Sequence, residues 1–220
     1  MINITNINKK YASGKNEVVA LDNINLNIDT SEFVLIKGES GSGKSTLLFI
    51  LGGMLKPSSG EVNINGKSLF ELSEKERTNY RANEIGFVFQ SYHLLPYLNV
   101  LDNILLSNKL NGTQIPKDEV VSITEELGIK ERLNHKPSEL SSGEKQRTAL
   151  ARAMITEPSI ILADEPTGNL DEKNAREVMN FLQAFQRAGG TVIMVTHGNL
   201  ADEYASRIIY LNKGKIIDQS

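Results

Sequence analysis

Residues 38–46 read Gly38-Glu39-Ser40-Gly41-Ser42-Gly43-Lys44-Ser45-Thr46, a G-x-x-x-x-G-K-[ST] pattern. This pattern requires a strand before it and a helix after it. The glycines let successive backbone N–H groups converge on one anion. The helix N-terminus adds a fixed partial positive charge. Lys44 brings a mobile full charge for the outer phosphates, and Ser45 offers a hydroxyl to Mg2+. The flanks fit. Phe33-Val34-Leu35-Ile36 is a short continuous apolar run, as in a strand covered on both faces, and 45–54 reads as a helix. The chain is therefore expected to bind a nucleoside triphosphate. It lacks the N/T-K-x-D segment of guanine-specific proteins, which favours adenine and hence ATP.

A second feature fits the first. Ile160-Ile161-Leu162-Ala163 is another buried strand, and it ends in Asp164 and Glu165. In a parallel sheet the strand C-termini line the ligand crevice. Asp164 is placed to hold Mg2+, and Glu165 to polarise an attacking water as general base. Gln90, after the strand at 85–89, and His197, after the strand at 191–196, reach the same edge. Either is equally readable as an ordinary polar loop residue. With three histidines, no cysteine and no H-E-x-x-H spacing, a zinc site is not expected.

The rest of the chain reads as an α/β domain spanning 1–220. Ile2/Ile4 and Ile24/Leu26/Ile28 alternate as strands with one wet face, as does Val62/Ile64. Ser73-Glu74-Lys75-Glu76 is a capping box that starts a helix. Strand, helix, strand from 160 to 196 implies a parallel sheet with helical crossovers. Residues 207–211 and 215–217 flank Asn212-Lys213-Gly214 as a hairpin. Less regular helical signals over 99–133 and a helix over 144–154 make 91–158 look like an insertion into the core. A net charge of −3 argues against a nucleic-acid partner. The longest apolar run, 47–55, is broken by Gly52 and Gly53 and is too short to span a bilayer. No secretory signal opens the sequence, so a cytoplasmic location is expected, with any membrane role reached through a partner.

Leu140-Ser141-Ser142-Gly143-Glu144-Lys145-Gln146-Arg147 opens the helix at 144–154. Hydroxyls and free N–H groups at a helix N-terminus make an anion site, yet the triphosphate is already accounted for at 38–46. Simple N-capping by serine is the competing reading. The ordered set of 38–46, Gln90, 140–147, 160–165, Gly168-Asn169-Leu170-Asp171 and His197 resembles the ATP-binding subunit of an ABC transporter. The finer match of 164–171, Gly86-Phe87-Val88-Phe89-Gln90, His93-Leu94-Leu95-Pro96 and Asn134-His135-Lys136-Pro137 is similar to one branch of that family. That branch contains lipoprotein-releasing ATPases, macrolide exporters and antimicrobial-peptide-resistance transporters. Its cell-division ATPase shares the G-N-L-D block.

The resemblance implies a P-loop core of mostly parallel sheet with antiparallel N-terminal strands and an inserted helical subdomain. It implies a homodimer formed on ATP, head to tail, in which Ser141, Ser142, Gly143 and Glu144 of one copy meet the nucleotide on the other copy's 38–46 loop. Tyr11 matches the aromatic that stacks on adenine. Gln90 would contact Mg2+ and report on the membrane partner, His197 would hold the γ-phosphate, and Asp171 would lie across the dimer interface. Leu94, Leu95, Pro96, Tyr97 and Leu98 would form a cleft for a cytoplasmic helix of a permease. The implied function is an ATP-hydrolysing subunit, on the inner face of the cell membrane through that permease, driving export or extraction of lipoprotein, drug or peptide. The alternative is a cell-division ATPase that regulates a membrane partner without transport. Two residues depart from the family pattern. Ser142 stands where the signature usually has glycine, and Glu39 adds a negative charge inside the cradle, where it is expected to face solvent.

Overall fold

The computed structural model describes residues 1–14, 16–106 and 114–219. The chain runs β1 (Ile2–Ser13), β2 (Asn16–Ile28), β3 (Phe33–Lys37), α1 (Lys44–Leu51), β4 (Ser59–Ile64), β5 (Lys67–Ser68), α2 (Glu74–Glu84) and β6 (Ile85–Phe89). It continues with α3 (Val100–Ile104), α4 (Lys117–Glu126), α5 (Ser142–Met154), β7 (Ile160–Asp164), α6 (Glu172–Arg187), β8 (Thr191–Thr196), β9 (Arg207–Asn212) and β10 (Lys215–Gln219).

Two sheets result. The N-terminal strands form an antiparallel sheet in the order β2-β1-β4-β5, and the second sheet has the order β10-β9-β3-β8-β7-β6. Within the second sheet β9, β3, β8, β7 and β6 are parallel neighbours, and β10 closes the edge antiparallel to β9. This is the α/β architecture expected from the sequence, including the antiparallel start and the hairpin at the end.

Strand periodicity explains how two cores share one sheet. Side chains alternate faces along a strand. In β3, Val34 and Ile36 join a core with α1 and the antiparallel sheet, while Phe33 and Leu35 join a core with α5 and α6. In β8, Ile193 and Val195 take the first side and Val192 and Met194 the second. Both faces are buried, which is why these strands read as unbroken apolar runs rather than alternations.

Local signals set the element ends. Ser73 and Glu76 form the expected capping box at the start of α2, the Ser73 hydroxyl accepting from the Glu76 N–H at 3.3 Å. The helix expected over 45–54 stops at Leu51, because Gly52 caps it and packs its bare backbone against the Phe87 ring. The helix expected over 144–154 begins earlier, at Ser142, with Ser141 as N-cap. Within the stretch read as helical over 99–133, α3 and α4 are described, while 107–113 lie outside the described residues. Among the described residues no helix is long and apolar enough to cross a membrane.

Candidate active site

The loop after β3 is shaped by close backbone packing. Gly43, the N-cap of α1, has φ 105°, and a Cβ there would collide with the Ala20 carbonyl oxygen. A Cβ on Gly38 would collide with the Leu211 carbonyl oxygen. The Gly214 N–H donates to the Ser42 carbonyl at 2.9 Å, tying the loop to the β9–β10 turn. Lys44 is buried, and its ammonium donates to the Gly38 carbonyl at 2.7 Å and the Glu39 carbonyl at 2.9 Å. A cation held only by neutral carbonyls remains available to an anion placed over the loop. The Glu39 residue is exposed.

This loop forms one wall of a cleft of about 710 Å³, within the size range of nucleotide and drug-sized ligands. Glu39, Ser40, Gly41, Gly43, Lys44, Ser45 and Thr46 line it together with Gln90, Asp164, Glu165 and His197. The structure therefore gathers into one space residues as far apart in the sequence as Glu39 and His197. The Ser45 hydroxyl donates to Asp164 Oδ1 at 3.1 Å. Burial pushes the Asp164 carboxyl above its usual value. The Ser45 bond opposes this shift, the neighbouring Glu165 charge reinforces it, and Lys44 opposes it.

Glu165 is held in an unusual backbone state. Its φ is 48°, in the left-handed region that costs a residue with a side chain on the order of 1–3 kcal/mol. Its N–H donates to the Val195 carbonyl at 3.0 Å, and its own carbonyl accepts from the Gly168 N–H at 3.1 Å. One carboxylate oxygen lies 2.7 Å from His197 Nδ1, and the other accepts from the Thr196 hydroxyl at 3.2 Å. Gln90 lies across Gly168, and its carbonyl accepts from the Asn169 amide at 2.9 Å.

Sequence reasoning missed the far wall. Val18, Val19 and Ala20 of β2 also line the cleft, and both valines are exposed. The contact of Gly43 with Ala20 brings this strand over the loop, and no sequence pattern announces that packing. Tyr11 does not line the cleft itself. It is exposed on β1, opposite Val18, with the Lys9 ammonium 5.1 Å from its ring centroid.

Ser141, Ser142, Gly143 and Glu144 do not line this cleft. They form the N-terminus of α5, where Ser141 and Glu144 make a second capping box. The Glu144 carboxylate accepts from the Ser141 N–H at 2.8 Å, from its hydroxyl at 2.9 Å and from Arg132 Nε at 2.7 Å. These bonds, the backbone one foremost, hold the Glu144 carboxyl down to about 2. Ser142 is exposed, while Gly143 is buried where a Cβ would strike the Asn174 side chain. Asn174 in turn donates from its N–H and its amide to the two oxygens of Asp171, at 2.9 and 2.7 Å. The N-terminus of α5 and Asp171 therefore share one support.

A separate apolar cleft of about 470 Å³ opens beside β6, lined by Met54, Phe87, Phe89, His93, Leu106 and Arg152 among others. Leu94, Leu95, Pro96, Tyr97 and Leu98 do not line it. The buried Asn103 amide instead organises their loop, accepting from the Leu95 N–H at 2.7 Å and donating to the Leu98 and Asn99 carbonyls. Tyr97 is left 69% exposed at the surface.

The family model described as ABC transporter matches residues 21–168. The macrolide export ATP-binding/permease protein MacB of Chlorobaculum tepidum is 44% identical over 220 residues, covering 99% of this chain and 34% of MacB. The lipoprotein-releasing system ATP-binding protein LolD of Xanthomonas campestris is 41% identical over 219 residues, covering 98% of this chain and 92% of LolD. The dimeric, post-hydrolysis structure of the ATP-binding cassette MJ0796 bound to ADP and Pi superimposes with a TM-score of 0.93. It shares 38% identity and covers 100% of this chain and 98% of that one. The chain belongs to the ABC transporter family, in which it is an ATP-hydrolysing ATP-binding cassette. It spans about a third of the length of the MacB proteins it matches and nearly all of LolD.

The Glu144 latch gives a pH-dependent outcome. A carboxyl with an ordinary value of 4.5, held down to about 2 in the folded chain, adds stability that is fully present above 4.5 and is lost as pH falls toward 2. The denaturation midpoint of Glu144→Gln should therefore lie below that of the parent at pH 6, and the gap should narrow steadily as the pH is lowered from 4.5. A gap independent of pH would contradict this role.

Proposed function

We propose that two copies of this cassette enclose two ATP molecules head to tail and that the resulting closure drives a membrane permease. One observation carries the reading. The expected site residues all line the cleft except Gly38, Ser42, Tyr11 and the 141–144 segment, and that segment forms the N-terminal end of α5 outside the cleft of its own copy. The nucleotide held by a second copy meets that end, and a two-fold arrangement satisfies both copies at once. The dimeric MJ0796 structure supports it.

Within each site the 38–46 loop and Lys44 bind the phosphates. Val18, Val19 and Tyr11 offer the apolar and aromatic surface that a purine needs. Ser45, Asp164 and Gln90 are hard oxygen donors suited to Mg2+, and a half-buried Asp164 whose charged form burial disfavours gains from a cation beside it. When bound, that ion neutralises charge on the phosphates and orients them. Glu165 accepts the proton of the water that attacks the γ-phosphorus, and the leaving group is ADP. His197 and Thr196 orient the Glu165 carboxylate. With its Nδ1 on Glu165, His197 keeps Nε2 for a γ-phosphate oxygen. Ser141, Ser142 and Gly143 of the opposite copy close over the same phosphate.

The helical segment at 91–158, inserted in a single domain of 1–220, serves as the lever to the permease, whose cytoplasmic segment docks in the apolar cleft beside β6. This places the cassette on the inner face of the cell membrane. The resemblance to MacB and LolD favours export or extraction of a drug, peptide or lipoprotein over import.

Replacing Glu165 by Gln leaves the geometry but removes the base. Turnover should fall by about a hundredfold or more, while an ATP-bound dimer accumulates on size exclusion. Hydrolysis at the parental rate would remove Glu165 from its role. Lys44→Ala should weaken ATP binding by at least about tenfold, measured by fluorescent nucleotide titration, since a charge-assisted bond to phosphate is lost. Unchanged affinity would contradict the cradle.

A further inference from the structure

Tyr92 and His93 are consecutive non-glycine residues with φ values of 58° and 48°. Left-handed backbone is strained for residues with side chains and normally occurs singly. Their carbonyls show what holds the pair. Arg152 on α5 donates from Nη1 to the His93 carbonyl and from Nη2 to the Tyr92 carbonyl, both at 2.7 Å. Arg152 is half-buried, and among the described residues no carboxylate pairs with it. A desolvated guanidinium without a counter-ion must have its N–H groups bonded. The cation and the strained carbonyls therefore stabilise each other.

The strained pair lies two residues beyond Gln90. The His93 ring stands edge-on to Phe89 at 4.8 Å, and Asn169 holds the Gln90 carbonyl. The segment from 89 to 93 is thus pinned on both sides of Gln90, whose side chain lines the nucleotide cleft. His93 and Arg152 both line the other, apolar cleft. Any chain seated there touches the clamp.

We propose that Arg152 is a positioning residue for ATP hydrolysis. Its guanidinium holds Tyr92 and His93 left-handed, which fixes Gln90 in the nucleotide cleft. The proposal rests on the reading that Gln90 serves the ATP site. Arg152 does not line the nucleotide cleft and acts only through the 89–93 segment. Lysine replaces it only in part, because a single ammonium does not present the planar fork that spans two carbonyls.

The test compares steady-state ATP hydrolysis by the full chain in four variants: Gln90→Ala, Arg152→Met, Arg152→Lys, and Arg152→Met combined with Tyr92→Gly and His93→Gly. Arg152→Met should lower kcat by about tenfold with KM for ATP changed by less than about twofold, since positioning rather than ground-state binding is lost. The glycine pair should restore at least about half of that kcat, because glycine adopts the left-handed conformation without penalty. A merely structural arginine would not be rescued by removing two more side chains. Arg152→Lys should fall between Arg152→Met and the parent, and it decides the matter if melting curves show Arg152→Met unfolded. Parental kcat in Arg152→Lys or Arg152→Met while Gln90→Ala is impaired overturns the clamp, as does failure of the glycine pair to rescue. Parental kcat in Gln90→Ala overturns the reading of Gln90 and the proposal with it.

Discussion

The site depends on where the parallel strands stop. In the ladder Lys37 is opposite Thr196, Val195 is opposite Asp164, and Asp164 is opposite Phe89. The four strands β3, β8, β7 and β6 therefore end within one residue of a common line. The next residues along the chain are Gly38, His197, Glu165 and Gln90. Each candidate group is thus the first residue past a strand end, delivered to one edge by hydrogen-bond register. A slip of one residue in any strand would turn its apolar side chains to the wrong core and withdraw its polar residue from the cleft.

That edge is then locked by contacts that tolerate little change. The loop at 38–43 lies against the carbonyls of Ala20 and Leu211, so the antiparallel sheet and the C-terminal hairpin both brace it. Glu165 is held in its left-handed state by bonds to Val195 and Gly168, with its carboxylate fixed by His197 and Thr196. Strain at such a residue persists only where the surroundings over-determine it, as they do here. The 141–144 segment is braced just as firmly, by the capping box, Arg132 and the Asn174 contact, but it does not line the cleft of its own chain.

Much of this was legible in the sequence, for identifiable reasons. Strands buried on both faces are continuous apolar runs, so β3, β7 and β8 declared themselves, and the polar residue after each pointed to the shared edge. Capping boxes are local patterns, and both Ser73/Glu76 and Ser141/Glu144 are formed. What escaped was long-range. Val18 and Val19 reach the cleft only because β2 crosses the loop at Gly43. The apolar cleft is built by Met54, Phe87, Phe89 and Arg152 from separate elements, whereas the contiguous apolar run at 94–98 is folded around the buried Asn103 amide. The strain at Glu165, Tyr92 and His93 likewise leaves no trace in residue type.

The central claim is that a working ATP site is made from two copies, the cradle of one and the 141–144 segment of the other. It is tested most directly by mixing two disabled chains, Lys44→Ala and Ser141→Arg, and measuring ATP hydrolysis. In a mixed dimer one site pairs the intact cradle of the Ser141→Arg chain with the intact 141–144 segment of the Lys44→Ala chain. Neither chain alone should hydrolyse ATP, and an equal mixture should recover about a quarter of parental activity, since random pairing makes half the dimers mixed with one site each. No recovery from folded, mixed dimers, or parental hydrolysis by Ser141→Arg alone, would contradict the shared site.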